Sequence, residues 1–406
     1  MSERTDLPRE HVATTRLTQA ASWQYRRRPT AVRLRERTSP VKISKASWGT
    51  AVGFGLVALS ITGVGAAHAD TNAGSTSTLA MVGSDTSQDV MEGLSSVLKD
   101  SSNNPLLSNY KAIPVGRTIT TRTGNANCVF TVAKNSGEGR DALSAALRGA
   151  TFAGSPATAG GTVVTSANMT GCVDVARSSS GGNPTTSPGV GTMTYVPFAT
   201  DSVTYATLAS SSVPHTLNKS DLVAIYTANT PNCIFSPLLP SAGSGTRSFW
   251  ATTLGLSDSF GAGGWGNCVK DVNSAGTAIQ EHDGRFLTNG QQLIPISTAQ
   301  FIAQQAGVIS DIRGRASLGS IDFDGAGGAN AISPVSLQPT FGTNTRPLYN
   351  VVSTAAITTG DPAFNQKVVD TFVGTTSKVC SSTLTIQQYG LAPLGTCGDT
   401  SKKNTN

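Results

Sequence analysis

Four short runs of hydroxyl, glycine and charged residues hold the chemistry that this sequence offers. They are Gly83-Ser84-Asp85-Thr86, Asn135-Ser136-Gly137, Arg177-Ser178 and Gly243-Ser244-Gly245-Thr246-Arg247. A strand, a small polar turn and a helix leave backbone N–H groups pointing outward at the helix start, and Ser and Thr hydroxyls add donors beside them. Such an end suits an anion. One turn of this kind reads as an ordinary N-cap. Four that meet in a cleft would form a nest of N–H and O–H donors for a small oxyanion. Asp85, Arg177 and Arg247 are the charged residues within these turns. The plainer readings are a rim ion pair for Arg177, a helix-surface residue for Arg247 and a helix cap for Asp85.

No catalytic pattern stands beside this one. Ser244 lies in Gly243-Ser244-Gly245 rather than G-x-S-x-G, and no histidine and acid partner can be assigned to it. The same turn lacks the spacing and the lysine of a P-loop. Beyond residue 69 the chain has two histidines, His215 and His282, each read as a surface or hydrogen-bonded core residue. The six cysteines contain no C-x-x-C pair, so no metal site and no cofactor are expected. An even number of cysteines in an exported chain favours disulfides, with 15 possible pairings. Proximity along the chain gives Cys128–Cys172, Cys233–Cys268 and Cys380–Cys397.

The elements that must position the turns alternate. Residues 79–82 read as a short buried strand, and the apolar spacing over 90–98 as a helix. Strand-like 128–132 leads through a turn to helical 141–147, 172–176 is a further strand, and 248–254 is the helix after the fourth turn. Residues 193–199 and 201–206 read as two extended runs, and 217–226 as a capped helix. Alternation of this kind argues for α/β layers. No internal repeat of fixed period is present.

Charge excludes other classes. Only 13% of the 406 residues are charged, about half the usual ~25%, which excludes a coiled coil or a charge-rich disordered chain. The net charge of +6 suggests nucleic acid, yet 11 of the 30 Lys+Arg and only four of the 24 acids fall in the first 69 residues. The remainder nets −1 and has no global attraction for polyanions. The leader itself has a basic stretch to Lys45, an apolar run over 52–59 and Ala67-His68-Ala69 before Asp70. Those parts predict a cleavable secretory signal over 1–69, with the true start near Val41. No cysteine sits at the cleavage site, so a secreted or wall-associated protein without a lipid anchor is expected.

The order of segments resembles the type 2 periplasmic binding proteins, and within them the phosphate-binding proteins of ABC transporters. The most specific piece is Gly243-Ser244-Gly245-Thr246, similar to that family's G-S-G-T loop. Ile294-Pro295-Ile296-Ser297, Arg346-Pro347-Leu348-Tyr349 and Gln388-Tyr389-Gly390-Leu391-Ala392-Pro393-Leu394 resemble its later segments. The resemblance implies an α/β, two-lobed fold with a ligand cleft between lobes. Lobe one would be 70–197 plus 346–406, and lobe two 198–345. It implies that Gly83, Ser84, Asp85, Thr86, Ser136, Gly137, Ser178, Ser244, Gly245 and Thr246 face the ligand, with Arg177 and Arg247 as candidate clamps. Two departures stand out: Pro240 occupies the place of the family's bridging Arg, and Ala176-Arg177-Ser178 the place of its Asp. The expected function is a monomeric, non-enzymatic binding protein for phosphate or a related oxyanion, with an ABC permease as partner and no role for nucleic acid. The alternatives are a surface or matrix relative without a transport role, and a phosphoester hydrolase.

Overall fold

A computed structural model describes residues 70–181, 193–323 and 344–404, all within one compact unit. The predicted signal segment over 1–69 lies outside the described residues. Among the described residues no helix is long and apolar enough to cross a membrane.

The chain opens with strand β1 (Leu79–Gly83) and helix α1 (Gln88–Val97), then β2 (Leu107–Asn109), β3 (Thr118–Thr120) and β4 (Val129–Thr131). Helix α2 (Ser136–Arg148) starts five residues earlier than its apolar spacing implies. Asn135 caps it by accepting from the Glu138 N–H, so the polar run read as a turn is the first helical turn. Gly149, at φ 63°, ends the helix in the left-handed region. Strand β5 (Val175–Ser178) follows.

The two extended runs near residue 200 form a single 16-residue strand, β6 (Met193–Leu208), with all but one residue buried. It stays continuous because its partners change along its length. Met193 to Ser202 pair antiparallel with the later strand β12, and Val203 to Thr207 pair with β9. After β6 come β7 (Thr216–Asn218), α3 (Lys219–Thr227), β8 (Ser236–Pro237) and α4 (Gly245–Leu254). Reciprocal bonds between Asn218 and Asp221 form a capping box on α3. The chain continues through β9 (Gln292–Ser297), α5 (Thr298–Gln305), β10 (Ala316–Leu318), β11 (Ser320–Asp322) and β12 (Thr345–Ser353).

The main sheet runs β2-β1-β5-β12-β6-β9-β8, with β10 also on β6. The β1, β2 and β5 strands are parallel, so the turns after β1 and β5 leave the same end of the sheet. Ligand sites of α/β sheets lie at such carboxyl ends. Two hydrophobic clusters gather side chains from Leu79 to Ala199 and from Leu348 to Cys397, with Ala299 added. Two others gather side chains from Val203 to Ile321. In one of the latter, Tyr226 packs edge-on against Trp250 and Trp265, each ring 5.8 Å away.

All three disulfides form as expected: Cys128–Cys172, Cys233–Cys268 and Cys380–Cys397. The first spans 44 residues and pins the start of β4 to the approach to β5. Replacing both Cys128 and Cys172 with Ala is expected to lower unfolding free energy by roughly 3–4 kcal/mol through restored freedom of the unfolded chain. Denaturant titration under non-reducing conditions measures this; a loss below about 1 kcal/mol contradicts it.

Candidate functional site

The turns converge. Ser179, the residue after β5, places its Oγ 3.1 Å from Ser84 Oγ, 3.3 Å from Thr86 Oγ1 and 3.2 Å from Ser136 Oγ. Its N–H donates to Ser136 Oγ at 3.0 Å. The fourth turn closes the group: Thr86 Oγ1 is 3.5 Å from Thr246 Oγ1, and the Gly137 N–H donates to Gly243 O at 3.1 Å. All of these hydroxyls are buried. Gly245 is required by the packing. A Cβ there would stand 2.2 Å from Ser179 Oγ and 2.9 Å from the Ser179 carbonyl carbon.

The centre of this nest is taken by a residue that the sequence did not single out. Glu281 turns its carboxylate inward, and its Oε2 accepts from Thr246 Oγ1 at 2.6 Å and Thr86 Oγ1 at 2.9 Å. His282 Nε2 lies 3.3 Å from the same oxygen and 3.1 Å from Thr86 Oγ1. His282 has φ 61°, unusual for a residue with a side chain. The turn is held by Gln304 Nε2, which donates to His282 O at 3.0 Å, and by the Ser297 N–H, which donates to His282 Nδ1 at 3.3 Å.

An Arg/Asp pair does reach the nest, from other positions than the resemblance places it. Arg346 on β12 faces Asp201 on β6 in the strand register and bonds its Oδ2 through Nε at 3.0 Å and Nη2 at 2.9 Å. Arg346 also donates to Thr246 Oγ1 at 2.9 Å and to Ser179 O at 3.3 Å. The other Asp201 oxygen accepts from Ser297 Oγ at 2.7 Å, the N-cap of α5. Each is the one charged residue of a long strand, and that was the available signal for them.

Asp85 is buried beside Glu281 but caps nothing. Ser87 is the N-cap of α1, with no side-chain cap bond. Burial first, and then the neighbouring Glu281 charge, push the Asp85 carboxyl well above the usual carboxylate range. Burial alone would raise Glu281 as well, but the hydrogen bond with His282, the charge of Arg346 and the Ser244 hydroxyl outweigh it and hold Glu281 low. The two carboxyl groups are therefore driven in opposite directions, Asp85 towards its neutral form and Glu281 towards its charged form. Outside the nest, a cavity of about 490 Å³ is lined by Asp85, Glu281 and His282, with Asp89, Glu92 and Gln300 among its other walls.

Three sequence expectations need correction. Arg177 is fully buried and faces away from the nest. Its guanidinium donates to the carbonyls of Met81, Gly83, Ser84 and Tyr110 and to Asn109 Oδ1, tying β1 to its neighbours. Burial lowers it to about 10. Arg247 is likewise taken up elsewhere, on Asp258 at 2.6 Å, Asp271 at 2.9 Å and Pro240 O at 3.2 Å. Ser178 bonds Ser180 O and Arg140, and the hydroxyl in the nest belongs to Ser179. Gly83 supplies backbone at φ 116°, and a Cβ there would lie 2.5 Å from Arg177 O. Ser244 caps α4 by accepting from the Arg247 N–H at 3.0 Å.

No protein-family model matches the chain, and no curated protein matches it. Solved structures do. A high affinity periplasmic phosphate-binding protein bound with phosphate is 15% identical over 79% of this chain and 91% of its own, with a TM-score of 0.45. An ABC-type phosphate transport receptor from Vibrio cholerae is 14% identical over 78% and 100%, with a TM-score of 0.42. A Corynebacterium glutamicum OxyR mutant is 11% identical over 78% and 68%, with a TM-score of 0.38.

Two variants test the assignments made from the geometry. Arg177→Ala removes a donor from each of five acceptors, of which Met81 O keeps the Tyr110 N–H, and is expected to lower stability by at least about 3 kcal/mol in denaturant unfolding. A change under about 1 kcal/mol would return Arg177 to the list of free cations. Gly245→Ala forces the third and fourth turns apart and is expected to lower stability by roughly 1–3 kcal/mol in the same assay, whereas a neutral effect contradicts the close packing.

Proposed function

We propose that this chain is an exported, non-catalytic binding protein for a small oxyanion of the phosphate class, with Glu281 standing in the ligand's place until the anion displaces it. One observation carries this reading. Hydroxyls from turns far apart in the chain, backed by Arg346, point at a single carboxylate oxygen. Donors gathered on one anionic oxygen are the arrangement that holds a bound oxyanion. Lobe one, 70–197 with 346–406, would close on lobe two, 198–345, and the closed form would deliver its ligand to an ABC permease.

Charge decides what can enter. The nest region holds Glu281, Asp201 and Arg346, with the proton on Asp85. Adding an oxyanion while Glu281 stays would bury a further unpaired negative charge, so the carboxylate must leave as the ligand arrives. A protonated Asp85 donates rather than accepts, and it offers no barrier to sulfate. Hydrolysis is poorly served: the Ser244 hydroxyl is engaged in capping α4, and Nδ1 of His282 accepts from the Ser297 N–H instead of donating to an acid.

A second reading, a surface or matrix relative that takes no solute, is favoured by the same Glu281 carboxylate, which already satisfies the donors. Calorimetric titration with phosphate and then sulfate separates the two. The binding reading expects weak uptake of either anion by the natural protein and at least tenfold tighter uptake by Glu281→Ala. Silence in both proteins, with both folded by thermal unfolding, overturns it in favour of the second reading.

A further inference from the structure

We propose that Asp85, Glu281 and His282 bind a divalent transition-metal ion of the zinc or manganese kind at the wall between the nest and the outer cavity. One donor atom from each of the three residues falls within 4.8 Å of the others, and all three residues are buried. Donors held about 2.1 Å from one ion in tetrahedral geometry lie about 3.4 Å apart, so a pair at the 4.8 Å limit needs to contract by about 1.4 Å.

The independent observation is a pair of orphaned oxygens. Asp85 Oδ1 and Glu281 Oε1 are buried without a hydrogen-bond partner, on residues only 4% and 6% exposed. Buried polar atoms of native proteins are nearly always satisfied, and two on adjacent carboxyl groups call for a shared partner between them, a place that the proton favoured on Asp85 holds and a metal ion would take over. The division of labour within Glu281 fits this. Its Oε2 is engaged by Thr86 and Thr246, which leaves Oε1 for the ion. An imidazole donor beside two carboxylates selects zinc or manganese over magnesium or calcium, which prefer all-oxygen sets.

Approach is electrostatically favourable. The cavity of about 490 Å³ that reaches this point is walled by Asp89 and Glu92 as well as Asp85 and Glu281. Its lysine, Lys111, is paired with Asp89 at 2.8 Å. Water can fill the open coordination positions from that side, as in metal sites with three protein ligands. His282 contributes through Nε2, the nitrogen facing Glu281, which requires its ring proton on Nδ1 and exchanges the 3.3 Å bond from Ser297 for the metal. The two carboxylates are therefore the stronger anchors.

This site does not rest on the oxyanion reading, and because both make use of Glu281, zinc is titrated in the absence of phosphate so that failure of one reading is distinguishable from failure of the other. The test uses the full exported chain, stripped with chelator, dialysed and titrated with zinc by calorimetry and with cobalt by visible absorption. One equivalent of zinc is expected to bind, and magnesium to give no comparable response. Asp85→Asn should weaken zinc binding at least 100-fold and His282→Gln at least tenfold with an altered cobalt spectrum. His215→Gln, which removes the exposed histidine, should change nothing. Thermal unfolding of the metal-free variants shows that each is folded. Absence of stoichiometric zinc binding overturns the proposal. So does binding that survives Asp85→Asn, that is lost in His215→Gln, or that magnesium matches.

Discussion

The Asp201–Arg346 pair is the interaction on which the rest of the site depends. Both groups lie at facing positions of β6 and β12, and both are buried to 2% exposure or less. Two such charges are expensive to remove from water, and further hydrogen bonds to both groups offset that cost. Asp201 takes up the hydroxyl of Ser297 and the N–H of Ala299, which fixes the start of α5. Arg346 reaches Ser179 and Thr246, which fixes the third and fourth turns. One ion pair thus sets the positions of elements from four regions of the chain. Its own position is set by strand register, because a slip of one residue would turn either side chain to the opposite face.

The nest that results is complete without an added molecule. Ser179 lies among the hydroxyls of Ser84, Thr86 and Ser136, and Glu281 supplies the negative charge that the donors seek. A built-in carboxylate satisfies buried donors that would otherwise each carry a desolvation penalty of about 1–3 kcal/mol. It also transfers the electrostatic problem one step outward, to the contact between Glu281 and Asp85. Burial, and after it the nearby Glu281 charge, drives the Asp85 carboxyl towards its neutral form. The chemistry of this protein therefore centres on a carboxyl pair as much as on the hydroxyls around it.

The two arginines of the sequence motifs illustrate a different use of charge. Arg177 holds carbonyls at the ends of β1 and β2, and Arg247 joins Asp258 and Asp271. Each keeps a turn in shape from behind. A guanidinium has five donors in a fixed plane, which suits it to gathering several carbonyls as well as to gripping an anion. Residue type and position beside a Ser/Gly turn do not distinguish these uses.

By itself the sequence determined the local features: the α/β alternation, the strand–turn–helix units that carry Ser84, Thr86, Ser136, Ser244 and Thr246, and the three disulfides. These follow from apolar periodicity, capping chemistry and proximity, all of which act over a few tens of residues at most. Tertiary structure decided what those turns surround. Glu281 meets Thr86 across 195 positions of sequence, on a turn between elements with no periodicity to announce it. Whether Ser178 or Ser179 enters the nest depended on where β5 ends, since successive side chains of a strand point to opposite faces. The choice of Arg346 over Arg177 depended on the antiparallel register of β6 and β12. Long-range pairing and strand register are properties of the folded chain as a whole, and no window of the sequence contains them.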